Sequence, residues 1–165
     1  MDLIKATKDH IWVIQALSGE TWPHTFSELL SQEQITYMMD MMYSTPALEK
    51  QMDELGHHYL LIKESDEYQG YLSYEIDYKG KPWTKIHKIY VLPSAQGKGI
   101  GRILIDSAAE IASANNNSEL SLNVNRDNIK AIEFYKRMGF EIILSEDIDI
   151  GNGFLMTDHV LNKKL

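Results

Sequence analysis

The sequence predicts a mixed α/β fold, a sheet with helices on both faces. Three observations lead there. Apolar residues recur at helical spacing in the first third, as in Ile35, Met38, Met39 and Met42 at i, i+3, i+4 and i+7. The middle turns to Tyr-, Leu- and Ile-rich runs of strand length. From Trp83 onward strand-like and helix-like segments alternate. The order reads roughly β-α-α-β-β-β-α-β-α-β-β.

Leu3 to Ala6 reads as a short first strand, and Asp9 as an N-cap for a helix running to about Ser18. Trp22-Pro23-His24 is expected to break that helix. The methionine stripe forms the next helix, and Thr45-Pro46 opens one covering Leu48 to Leu55, with proline in its first turn. His58–Glu64 and Tyr68–Tyr78 are strands around Ser65-Asp66-Glu67. Lys79-Gly80-Lys81 is a hairpin turn, and Trp83–Leu92 the third strand of this meander. A helix follows from about Lys98 to Ala114, with Ile103, Leu104, Ala108, Ile111 and Ala112 as its apolar face, ended by Asn115-Asn116-Asn117. Leu120, Leu122 and Val124 alternate as a strand, Ile129 to Met138 is a helix stopped by Gly139, and Phe140–Leu144 and Phe154–Leu161 are the last strands around Gly151-Asn152-Gly153.

At 165 residues the chain is expected to form one domain with a real core. No apolar run approaches the roughly 18 residues of a membrane span, and Met1-Asp2-Leu3-Ile4-Lys5 lacks the apolar stretch of a signal peptide. There is no cysteine, which excludes disulfides, thiolate metal sites and a cysteine acyl-enzyme, and fits a cytoplasmic location. The net charge of −8, from 16 basic and 24 acidic residues, argues against a nucleic-acid partner and attracts cationic small molecules. It also serves simple solubility. His57 and His58 are adjacent and diverge on a strand, so no metal is expected.

Two segments carry chemistry. In Tyr90-Val91-Leu92-Pro93-Ser94-Ala95-Gln96-Gly97-Lys98-Gly99-Ile100-Gly101-Arg102 a strand ends at proline and a glycine-rich loop opens into a helix. Bare backbone N–H groups and the positive end of a helix dipole make a phosphate cradle there. A dinucleotide fingerprint starting at Gly97 would need glycine at Arg102, and no Gly-Lys-Ser/Thr follows four spacers, so neither nucleotide motif fits. A tight strand–helix turn without ligand is the plainer alternative. In the segment from Asn125 to Phe140, Asn128, Ala131 and Tyr135 share one helix face, with Asn128 and Tyr135 roughly 10 Å apart along the axis. A capping Asn and a packed Tyr would look the same.

Gln96-x-x-Gly99-x-Gly101 after a strand, then Asn128-x-x-Ala131-x-x-Phe134-Tyr135-x-x-x-Gly139-Phe140, resembles the two signatures of the GNAT acetyltransferase superfamily. The resemblance covers Trp83 to Phe140, and Asp158 to Leu165 is similar to the family's final strand. It implies the acyl-coenzyme A N-acyltransferase fold, a mostly antiparallel central sheet splayed at the cofactor site. It assigns 1–82 mainly to the acceptor side, 83–140 to acetyl-coenzyme A binding and 141–165 to C-terminal strands. The backbone of Gln96, Gly97, Lys98, Gly99, Ile100, Gly101 and Arg102 would hold the pyrophosphate, Val91 and Asn128 would meet the pantetheine arm, and Tyr135 would protonate the leaving thiolate. A homodimer is possible, though no interface signal is visible in the chain.

The implied reaction is direct transfer of acetyl to a primary amine. An alkylammonium has a pKa near 10.4, so a base must remove its proton. The amide near Val91 or Leu92 would serve the oxyanion, since Pro93 has no N–H. The strand residues Lys85-Ile86-His87-Lys88-Ile89-Tyr90 hold no carboxylate, where many relatives carry a glutamate. His87 is the expected base, because imidazole titrates near neutrality. His87 could instead pack on a strand face, with Glu75 and Asp77 driving a water chain.

The N-terminal half carries Glu20, Glu28, Glu33, Asp40, Glu49, Asp53 and Glu54 beside Trp12, Trp22, Tyr37 and Tyr43. Carboxylates next to aromatics suit a flexible polycation. Glu20-Thr21-Trp22-Pro23-His24-Thr25-Phe26 and Leu48-Glu49-Lys50-Gln51-Met52 loosely resemble the bacterial spermine/spermidine N-acetyltransferase branch. Polyamines are thus the expected acceptors. Other small amines such as aminoglycosides, and protein N-termini or lysines, are the alternatives, and a non-catalytic acyl-coenzyme A sensor is the alternative class.

Overall fold

Local sequence signals place most element boundaries. The computed structural model describes all 165 residues. Strand β1 (Asp2–Lys5) leads to a 3-10 turn, Lys8–His10, capped by Thr7 rather than by Asp9. Thr7 wins because its hydroxyl accepts the Asp9 N–H while the His10 ring accepts its own N–H, a reciprocal cap. Helices α1 (Ile11–Phe26), α2 (Gln32–Tyr43) and α3 (Thr45–Asp53) follow, matching the three helical segments named from the sequence, although the rough element order counted only two. Ser31 and Ser44 cap α2 and α3, each accepting a backbone N–H three residues on.

Helix α1 runs through Pro23 instead of breaking there. Proline removes one intrahelical N–H, but its carbonyl still accepts from Ser27 at 3.1 Å. Burial outweighs that loss. Trp22 and Phe26, one turn apart, both face the core with ring centroids 4.5 Å apart. Such a pair contributes about 1 kcal/mol beyond its buried area.

Strands β2 (His58–Glu64) and β3 (Glu67–Glu75) form a hairpin. The run ends at Glu75, short of the expected Tyr78, because Asp77 and Lys79 adopt left-handed backbone and Tyr78–Gly80 coils into a 3-10 turn. Strand β4 (Trp83–Val91), helix α4 (Ile100–Ala114), strand β5 (Glu119–Asn125), helix α5 (Ile129–Arg137) and strands β6 (Glu141–Gly151) and β7 (Phe154–Lys164) complete the chain. Ile103, expected on the apolar face of α4, is 37% exposed; the buried face is Ile100, Leu104, Ile105, Ala108 and Ala112. Ile100 and Ile105 join the buried stripe, Ile111 is half-buried at its edge, and Ile103 lies outside it.

The seven strands hydrogen-bond in the order β1-β2-β3-β4-β5-β7-β6. The ladders β1–β2, β2–β3, β5–β7 and β6–β7 are antiparallel, and β4–β5 is parallel. The expected mixed, mostly antiparallel sheet is therefore present. No helix is long and apolar enough to cross a membrane.

The chain divides into two compact units. The first comprises residues 1–75 and 88–107. Its core holds Ile14, Trp22, Leu48, Leu61 and Leu72, threaded by a buried polar chain. Within that chain Ser18 Oγ lies 2.7 Å from Tyr71 Oη, Tyr71 donates to Tyr43 Oη at 2.9 Å, and Trp22 Nε1 donates to the same oxygen at 3.0 Å. The second comprises residues 76–87 and 108–165, with Leu120, Leu122, Phe140 and Leu161 at its centre.

Candidate active site

In the first unit, β3 approaches the end of β4 closely. A side chain at Gly70 would place its Cβ 2.5 Å from the Tyr90 carbonyl oxygen and 3.2 Å from Val91 Cα. Gln69 is an extra residue in the β2–β3 ladder, because Ile62 pairs with Gly70 and Lys63 with Tyr68. The bulge turns the Gln69 carbonyl to accept the Leu92 N–H at 2.9 Å.

A 3-10 turn at Pro93–Ala95 then leads into the glycine loop. Gly97 and Gly99 have φ of +84° and +80°, a left-handed backbone that L side chains resist. Open space surrounds both, so conformation rather than crowding demands glycine there. Gln96 through Gly99 are exposed. The first intrahelical bond of α4 runs from the Ile103 N–H to the Gly99 carbonyl at 3.1 Å, so the amides before it point out of the helix end. Lys98 Nζ lies 3.5 Å from Glu64.

In the second unit, Asn128 caps α5 and its Oδ1 accepts the Ala131 N–H at 3.3 Å. Tyr135 is 9% exposed, its ring edge-on to Phe140 at 5.7 Å between centroids. Burial pushes its phenol well above the ordinary tyrosine value. The parallel ladder of β4 and β5 runs from Trp83↔Glu119 to Ile86↔Leu122, while β5 continues to Asn125.

The second unit also holds a cleft of about 470 Å³. Ile86 and Ile148 are its apolar walls, and Tyr78, Lys79, Lys85, His87, Asn123 and Glu146 its polar lining. The His87 ring stands edge-on to Tyr78, 5.7 Å between centroids. Lys85 Nζ donates to Asn123 Oδ1, and Asn123 Nδ2 donates to Glu146 at 3.0 Å and to Asp158 at 3.2 Å. Burial pulls the Lys85 ammonium down to about 8, partly countered by Glu146, while the charge of Lys79 adds to the fall. Burial raises the Asp158 carboxyl.

The two carboxylates offered for a water chain have structural partners. Glu75 lies 3.5 Å from His57 Nε2, and Asp77 accepts from Asn117 Nδ2 at 2.7 Å. The acidic residues of the N-terminal half are exposed, and Asp53 pairs with Lys8 at 3.1 Å. Trp22 and Tyr43 face the core, while Trp12 is 64% exposed.

Sequence reading missed Lys85, Asn123 and Glu146 as a group. The available signal was period two: Lys85 and His87 share one face of β4, and Asn123 lies two residues beyond the strand partner of Lys85. Glu146 had no such signal, because β6 was read as ending at Leu144.

A seven-stranded mixed sheet with a glycine-rich turn into α4 defines the class of protein, an α/β N-acyltransferase fold. The PaiA N-acetyltransferase of Thermoplasma acidophilum, solved in complex with coenzyme A, superposes with a TM-score of 0.82 at 22% identity, covering 99% of this chain and 98% of that one. Residues 16–140 match the model of the acetyltransferase (GNAT) family, and the chain belongs to that family. An uncharacterized N-acetyltransferase of Methanocaldococcus jannaschii is 47% identical over 58 residues, 35% of this chain and 26% of that protein. The peptidyl-lysine N-acetyltransferase YjaB of Escherichia coli is 34% identical over 61 residues, 37% of this chain and 38% of that protein. The matched stretch thus spans about a quarter to two fifths of these relatives' own length.

Proposed function

We propose that this chain transfers acetyl from acetyl-coenzyme A directly to a primary amine. The observation that carries the reading is the left-handed Gly97–Gly99 loop, which delivers exposed amides to the start of α4 immediately after β4. The backbone of Gln96 through Arg102 holds the pyrophosphate, and the Val91 region and Asn128 meet the pantetheine arm. Leu92 was the other candidate for the oxyanion donor. Its N–H is committed to Gln69, which leaves the Val91 amide as the candidate for that role.

The amine loses a proton to His87, and its nitrogen bonds to the thioester carbonyl carbon. The carbon–sulfur bond breaks, and Tyr135 gives its proton to the departing sulfur. The raised phenol suits this task, because it stays protonated across physiological pH.

The polyamine version of this reading, with spermidine or spermine as acceptor, is supported by the net charge of −8 and the acidic N-terminal half. The cysteine-free composition supports a cytoplasmic setting. A free-thiol release assay with acetyl-coenzyme A tests the function over spermidine, spermine, aminoglycosides and peptide amines. Turnover of any of these sustains it. Coenzyme binding without turnover across a broad amine panel replaces it with a non-catalytic sensor.

A further inference from the structure

We infer that the amine acceptor carries an anionic group, which Lys79 and Lys85 receive in the cleft of the second unit. The inference rests on the acetyl-transfer reading and replaces its polyamine version.

A general base must lie within hydrogen-bond reach of the proton it takes. With His87 as base, the reacting amine sits in the cleft that His87 lines. The remaining lining then decides what the rest of the acceptor is. Two ammonium groups converge on the Tyr78 ring, Lys79 Nζ at 5.3 Å and Lys85 Nζ at 5.2 Å from its centroid. Lys85 is only 7% exposed and is anchored by its bond to Asn123. Glu146 is the carboxylate in the lining, and Asn123 holds it at 3.0 Å. Asp158 is 4% exposed, and with Glu146 it holds part of the Lys85 charge up against burial.

Glu146 and Asp158 act on Lys85, while Lys79 stands on an exposed turn at the cleft, so His87 suits an amine and the lysine side suits a carboxylate or phosphate. An arriving anion adds to what Glu146 and Asp158 already supply against the burial of Lys85 and its repulsion from Lys79. A polyamine would bring further ammonium groups against Lys79 and Lys85 and be repelled. The acceptor is therefore a small zwitterion. Its amine nitrogen bonds to the acetyl carbon as the carbon–sulfur bond breaks, and its anionic group takes no part in the bond changes.

The test is thiol release measured on matched amines: γ-aminobutyrate against butylamine, phosphoethanolamine against ethanolamine, and spermidine alongside. At least one anionic amine is expected to exceed its uncharged match about tenfold in kcat/KM. The two pairs tell a carboxylate from a phosphate. Lys79→Glu lies on an exposed turn, and it is expected to lower that ratio about tenfold or more. Lys85→Met, checked for folding by thermal melting, is expected to do the same. Preference for spermidine or for the uncharged amines, or a ratio unmoved by Lys79→Glu, overturns the inference and leaves acetyl transfer standing. No thiol release from any amine by protein that binds coenzyme overturns both.

Discussion

Lys88 Nζ donates to the phenol oxygen of Tyr59 at 2.7 Å inside the core of the first unit. It also donates to Gln51 Oε1 at 2.9 Å and stands 4.4 Å from the centroid of the Tyr43 ring. The side chain is 7% exposed, and burial pulls its ammonium down from 10.5 to about 7. The unfolded chain therefore binds this proton between about pH 7 and 10.5 while the folded chain does not, so stability rises with pH across that window. Lys88→Met removes the penalty. It is expected to stabilise the protein at pH 6 by on the order of 3 kcal/mol, with the gain gone above pH 10.5. Urea melts at pH 6, 8 and 10 check this, and a variant less stable than wild type at pH 6 refutes it.

Gly70 is the point where β3 touches the end of β4. The atoms that a Cβ would meet, Tyr90 O and Val91 Cα, are backbone and cannot rotate aside. Gly70→Ala is expected to cost roughly 1–3 kcal/mol and to weaken coenzyme binding by displacing Val91. Urea midpoints and calorimetric titration read the two effects. Wild-type values in both mean that the approach has room to spare.

Gly99 has open space around it but a φ of +80°. Gly99→Ala therefore tests strain alone, and Gly99→Glu adds negative charge at the phosphate cradle. Calorimetric titration with coenzyme A is expected to show weakened binding by Gly99→Ala and none by Gly99→Glu. Retained affinity in Gly99→Glu moves the phosphates elsewhere.

Much of this was legible in the sequence, for identifiable reasons. The helical period located α2 and α5, because each has one buried face, while β2 stood out by its Tyr-, Leu- and Ile-rich run and β5 by the alternation of Leu120, Leu122 and Val124, both strands being buried on two faces. The glycine loop was legible because left-handed backbone at Gly97 and Gly99 leaves few residue choices. Pro23 misled, since its local penalty is smaller than the gain from burying Trp22 and Phe26 on one helix. The acidic N-terminal half suggested a polycation site, yet its carboxylates are exposed on helix surfaces while Trp22 and Tyr43 turn inward. The cleft was illegible, because Lys79, Asn123 and Glu146 come from a turn and two strands that only tertiary pairing brings together.

Tyr135→Phe keeps the ring packed on Phe140 and removes only the acidic hydrogen. It is expected to lower kcat about 100-fold with little change in coenzyme affinity. Because burial raises the phenol, Tyr135 adds no falling limb to the wild-type pH–rate profile below pH 10. Steady-state rates and a coenzyme titration check both points. Full activity in Tyr135→Phe removes the phenol from the mechanism.

His87 lines the cleft beside Tyr78, and its role as base fixes the low-pH side of the profile. A base must be unprotonated to act, so kcat/KM should rise with unit slope as the imidazole deprotonates. The ammonium of the acceptor titrates near pH 10. His87→Gln keeps a polar side chain on the strand but cannot take up the proton. It is expected to lower kcat/KM about 100-fold near neutral pH and to erase that limb, leaving only the rise set by the free amine. A limb that survives the substitution belongs to another group. The acceptor is then no longer held to this cleft, and the pairing of its anion with Lys79 and Lys85 loses its anchor.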